Sequence, residues 1–156
     1  VTPIAPSDQS SLEDELKHVN PTFPKAAAGF ALLAGALGIL TAIQVLTSVR
    51  IFSAFWAVFP YLLLVLGGAL GFFARSVFTA RRWAAQGAVV VGALQALVSG
   101  AWLVFAVSNG FIALYAIWTP VWSVVAVGLC AAALAPCSRA QRARERLRAQ
   151  GMDIGL

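Results

Sequence analysis

The sequence predicts an all-α integral membrane protein, an antiparallel bundle of four transmembrane helices, on three observations. Four apolar runs, 26–49, 51–74, 84–107 and 111–134, contain no Asp, Glu, Lys or His, and each supplies the roughly 20 helical residues needed to cross a hydrocarbon core about 30 Å thick. The chain is 60% hydrophobic and 11% charged, whereas soluble domains carry about 25% charged residues. The basic residues are also segregated. An even number of spans puts both termini on one face, and that face holds every one of the 11 Lys and Arg residues except Arg50. Lys and Arg in short flanking segments are retained on the cytoplasmic side, so the expected topology is N-in, C-in, in a bacterial cytoplasmic (inner) membrane. The net charge of +5 then reflects orientation. A nucleic-acid surface would also want aromatic or base-reading groups among the charges, and no nucleic-acid partner is expected.

Residues 1–25 form a cytoplasmic tail. Pro3 and Pro6 among small polar residues favour disorder at its start. Ser10 with Glu13 and Ser11 with Asp14 then fit a helix-start signature, and Leu12, Leu16 and Val19 fall on one face. A short amphipathic helix on the inner membrane surface is expected, ended by Asn20-Pro21 and Phe23-Pro24. Its cluster of Glu13, Asp14 and Glu15 suits the positive end of a helix dipole, and it is also placed to dock against the arginines of the same face. The first span follows an acidic tail and is too long for a secretory signal, so it is read as a retained helix.

Span one carries two rows of small residues at i+4 spacing, Ala27, Ala31 and Gly35, then Ala34, Gly38 and Ala42. Span three carries Ala84, Ala88, Gly92, Ala96 and Gly100. Such rows let helix backbones approach closely, which matters in lipid because little hydrophobic drive exists between helices. They are the expected helix-packing residues. Spans two and four instead enter through aromatics, Phe55 to Tyr61 and Tyr115 to Trp122, with Pro60 and Pro120 as expected kinks. Aligning those prolines also pairs Gly68 with Gly128 and Ala36-Leu37 with Ala96-Leu97, which suggests two tandem hairpins. Trp83 and Trp102 can both sit at interfacial depth in span three. Ser108-Asn109-Gly110 and Ser48 to Ser53 are short turns on the outer side.

Residues 135–156 form a basic cytoplasmic tail. Pro136 is expected to end span four, with Ser138 capping a separate helix over 139–150 that Gly151 stops. Arg139, Arg142, Arg144, Arg146 and Arg148 leave only a narrow apolar stripe of Ala140, Ala143 and Leu147. The helix is therefore expected to contact anionic lipid headgroups, at about 1 kcal/mol per basic residue, or a protein partner.

The spans lack the ionisable groups that proton relays use. The one His, His18, and the one Met, Met152, lie in the tails, so haem ligation between helices is not expected. Cys130 and Cys137 have no metal-site spacing and are expected as free thiols. No nucleophile elbow, phosphate loop or zinc-protease motif occurs. Enzymatic activity, cofactors and metals are not expected. The few polar groups inside spans include Thr41, Thr119, Gln95, Ser99 and Ser123. An unsatisfied amide in the membrane costs several kcal/mol, so Gln95 should point inward, bonding between helices or lining a polar path with Ser99 and Ser123.

The function these features favour is non-enzymatic. It is that of an accessory or scaffold subunit of a membrane complex, or of a homo-oligomer, working through helix contacts with other membrane subunits or itself. A passive oligomeric pore is the alternative, and a lipid-handling or membrane-shaping protein the third reading.

Overall fold

A computed structural model describes residues 21–48, 54–110 and 114–149, without the side chains of residues 48, 54–57 and 114. The expected N-terminal surface helix, its acidic cluster, Arg50, Phe111 and the Gly151 stop lie outside the described residues. Four α-helices are described: α1 (Thr22–Ser48), α2 (Ala54–Phe78), α3 (Arg82–Ser108) and α4 (Leu114–Ala149). Each is long and apolar enough to cross a membrane.

α1 starts four residues ahead of the expected span. Pro24 causes no break, because in the first turn its missing N–H has no helical acceptor to serve. Pro60 and Pro120 lie within α2 and α4, and both helices run on through them. The helices are ordered in a ring, each packed against its sequence neighbours, with α4 closing onto α1. Among the described residues α1 also touches α3 across the middle, and α2 does not touch α4.

The packing inverts the size pattern of a soluble core. The fully buried positions are largely alanines, Ala27, Ala31, Ala34, Ala84, Ala88 and Ala133 among them, while Leu32, Val65, Phe72, Leu97 and Val104 are exposed. Lipid tails solvate the large side chains as well as a core would, so the interior is assigned to residues that let backbones come close. The closest seam is α1 on α2. A Cβ added at Gly35 would lie 2.7 Å from the Gly67 carbonyl oxygen, and one added at Gly67 would lie 2.6 Å from the Gly35 oxygen.

The turn from α2 to α3 has no glycine. Ala80 takes the left-handed conformation (φ 55°). Its N–H donates to the Val77 carbonyl at 2.8 Å, and the Arg81 N–H donates to the Ser76 carbonyl at 3.3 Å. These are the two bonds of a Schellman helix end, built on alanine at a position where glycine is usual. At the other end, Asn109 closes α3 by donating its backbone N–H and Nδ2 to the Phe105 carbonyl, followed by Gly110 at φ 74°.

Two expectations are corrected. No separate helix begins after Pro136, because α4 is continuous to Ala149. Ser138 does not cap a new start: its hydroxyl donates back to the Ala135 carbonyl at 2.8 Å. The narrow apolar stripe of this segment is also buried in protein, with Ala140 and Leu147 at 0% exposure and Ala143 at 7%. Cys137 and Ala140 join the cluster of Val77, Ala80 and Ala84, and this tertiary contact outweighs the local break that proline favours. Trp102 faces inward, 3% exposed against Val45 and Ala116, whereas Trp83 is 48% exposed.

Candidate functional site

The middle of the bundle holds a polar cluster. Thr41 of α1, Gln95 and Ser99 of α3, and Thr119 and Ser123 of α4 are all essentially inaccessible. Three of their hydroxyls bond back to their own helices. Ser99 donates to the Gln95 carbonyl (2.6 Å), Ser123 to the Thr119 carbonyl (2.7 Å) and Thr119 to the Tyr115 carbonyl (2.8 Å), the usual back-bond of a helical hydroxyl in an apolar setting. Bonds between helices tie the cluster together. Gln95 Nε2 donates to the Ala34 carbonyl at 2.7 Å and to Ser123 Oγ at 3.2 Å. The hydroxyls of Thr41 and Thr119 are 2.7 Å apart. Gln95 Oε1 is buried without a hydrogen-bond partner.

Gln95, Ser99 and Ser123 thus come together as the sequence suggests, and α1 joins them through Thr41 and Ala34. The Thr41 contact was visible only as a polar residue in an apolar run. Nothing in the spacing says that residues 41 and 119 meet. Gly38 makes the room, since a Cβ there would lie 2.8 Å from Gln95 Nε2. The cluster contains no ionisable side chain, so its chemistry is hydrogen bonding between α1, α3 and α4.

The helix-packing residues divide. Ala27, Ala31 and Gly35 are buried, as are Ala84, Ala88 and Gly92, the last with its missing Cβ 2.9 Å from Val127. Ala96 and Gly100 are only partly buried, and nothing lies within 4 Å of a Cβ at Gly100. Helical geometry explains the division. A row at i+4 spacing turns about 40° per step, so Gly100 is about 160° round from Ala84, and Gln95, Ser99 and Trp102 take over the inward line. Gly38 belongs to the second row of span one, whereas Gly67, which makes one of the closest approaches, stands out only once the partner helix is known.

The arginines of α4 lie at the bundle end shared with the α2–α3 turn. Arg139, Arg142, Arg146 and Arg148 are exposed. Arg144 is partly buried and donates from Nη2 to the Thr79 carbonyl at 2.9 Å, capturing an acceptor that the end of α2 leaves open. Arg144 lies ten residues past the apolar run. Burial first, then the neighbouring Arg81 and Arg148 charges, lower its guanidinium pKa, with Cys137 opposing. Around it is a recess of about 400 Å³, whose lining includes Arg81, Arg82, Trp83, Glu145 and Arg148. Glu145 accepts a hydrogen bond from Gln141 Nε2 at 3.0 Å.

Two further recesses open at this end. One of about 260 Å³ lies between Arg82 and Arg142. The other, of about 450 Å³, is an apolar groove floored by Gly29 and Gly71, with Lys25 and Arg75 along it, and Lys25 Nζ stands 5.6 Å over the Phe78 ring. Cys130 and Cys137 are free and buried. Among the described residues no group of three or more His, Cys, Asp or Glu side chains is placed to hold a metal.

No protein-family model, curated protein or solved structure matches the chain.

Proposed function

We propose that this protein works through helix contacts in the membrane, as an accessory or scaffold subunit or as a homo-oligomer, and that α4 is the helix that makes them. One observation carries the reading. Val121, Val125, Gly128, Ala132 and Ala135 are all exposed and recur at the three- and four-residue steps of one helix face. Nothing lies within 4 Å of a Cβ at Gly128. The outward face of α2 sets its exposed Gly68 between Tyr61, Val65 and Phe72, and that of α3 carries Val90, Leu94 and Leu97. Close approach of another helix is what an outward small-residue face provides in lipid. The proposed orientation keeps both termini, and with them the arginine end, on the cytoplasmic side of a bacterial inner membrane.

The test is native mass after mild solubilisation, with Gly128→Leu and Ala132→Leu in one chain as the variant. The expected result is an assembly, of this chain alone or with other subunits, that the variant dissociates while its helical content stays unchanged. A wild-type monomer that also fails to cross-link in native membranes would sink the reading. An assembly that conducts ions, with conductance altered by Gln95→Leu, would instead favour the pore.

A further inference from the structure

We propose that the recess between the α2–α3 turn and the end of α4 is a phosphate-binding site, taking a phosphate group carried by a lipid headgroup or free in solution. Four guanidinium-bearing residues line it, Arg81 and Arg82 from the turn and first residue of α3, and Arg144 and Arg148 from α4, against one carboxylate among the described residues, Glu145. Like charges gathered this way repel one another, and a bound anion turns that repulsion into attraction. Arg144 is partly buried and lines the same recess as Arg81 and Arg148. The chain nevertheless holds α4 in place here, through Arg144 on the Thr79 carbonyl and through Ala140 packed with Ala80.

Arginine is suited to the role, because its planar fork of donors matches phosphate oxygens two at a time. The volume of about 400 Å³ falls within the range of small-ligand sites, with room for a phosphate and the group bearing it. Half-exposed Trp83 also lines the recess, and tryptophan favours the headgroup level of a bilayer. The amino end of α3 adds its partial positive charge, with no carboxylate in its first turn. This inference does not depend on α4 being an oligomer interface.

The experiment uses the full chain in detergent, with two probes. Phosphatidylglycerol is titrated by native mass spectrometry, and inorganic phosphate by calorimetry. The test variant is R81Q/R148Q, and the control R139Q/R142Q removes equal charge outside the recess. The test pair loses charge-assisted hydrogen bonds to the phosphate and should weaken binding by about tenfold or more, whereas the control loses only more distant, screened charge and should weaken it by less than about threefold. Lipid binding without phosphate binding assigns the site to a headgroup, and phosphate binding without lipid binding assigns it to a free anion. Equal loss in the two pairs would mean diffuse attraction and would overturn the proposal, as would binding of neither probe. E145Q removes the recess carboxylate without touching an arginine and should tighten the phosphate probe. Unchanged or weaker binding there counts against the site.

Discussion

Gly38 and Gln95 should behave as one unit in a double-mutant cycle. A methyl at residue 38 would lie 2.8 Å from Gln95 Nε2, 3.1 Å from its Cδ and 3.3 Å from its Oε1. That amide cannot simply swing aside, because Nε2 is held 2.7 Å from the Ala34 carbonyl. Gly38→Ala must therefore break the bond or separate α1 from α3. An interhelical side-chain bond in a membrane contributes about 0.6 kcal/mol on average, and overpacking costs about 1–3 kcal/mol, so the single variant should lose about 1–3 kcal/mol. Gln95→Ala leaves a void costing about 2–4 kcal/mol, offset in part because it deletes the unpartnered Oε1 oxygen, a relief of about 1–3 kcal/mol. In the double variant the methyl enters space the amide has vacated. The pair should then be less destabilised than the sum by about 1–2 kcal/mol. Gln95→Leu keeps the volume, and the Ala34 carbonyl retains its own helical partner, so it should stay within about 1 kcal/mol of wild type. The assay is unfolding in mixed micelles by added dodecyl sulfate, followed by helical circular dichroism. Additivity within about 0.5 kcal/mol would refute the contact.

The α1–α2 seam is backbone against backbone, so Gly35→Ala or Gly67→Ala must push the helices apart and should cost about 2 kcal/mol or more in the same assay. Gly29→Ala and Gly68→Ala, which meet nothing within 4 Å, should lie within about 0.5 kcal/mol of wild type. At the left-handed Ala80, glycine should be tolerated, because relief of about 1 kcal/mol of backbone strain offsets the lost burial of one methyl, about 0.8 kcal/mol. Ala80→Val combines a branched side chain with that conformation and should lower the unfolding midpoint clearly. Arg144→Gln removes the bond to the Thr79 carbonyl and should loosen the end of α4 by about 1 kcal/mol, read as roughly fivefold faster amide exchange confined to residues past Pro136. Unchanged exchange there would mean the buried stripe alone holds the extension.

The four spans were legible because lipid imposes a length and a composition that few other structures satisfy. The inward turn of Gln95 was legible for a related reason, the cost of an amide in hydrocarbon. What failed to show were features decided by another helix. Pro136 and a run of arginines read locally as a stop followed by a solvated helix, and only the packing of Cys137 and Ala140 on Val77 and Ala80 keeps α4 continuous. Ala80 carries no sign of a turn, since the conformation usually given to glycine is imposed on it by the helices on either side. The five-membered row on α3 is one surface only if i+4 spacing runs straight, and on a real helix it winds from Ala84 inside toward Gly100 at the edge. The arginine-lined recess was only half legible. The α4 arginines pointed to anions, but their meeting with Arg81 and Arg82 depends on α4 extending past the point where the sequence appeared to end it.

The same packing rule separates stability from association in this bundle. The inside glycines Gly35, Gly67, Gly38 and Gly92 are each matched by an atom less than 3 Å from the missing methyl, so enlarging them must perturb the fold itself. Gly128 belongs to the same residue class but faces outward with nothing near it. Enlarging Gly128 therefore leaves the contacts of a single bundle intact, and an effect there reports on whatever lies outside it. An association that Gly128→Leu abolishes, at an unfolding midpoint equal to wild type, would place the interface on α4. A fall in midpoint without a change in mass would mean that α4 packs more closely within the bundle than its exposed face implies.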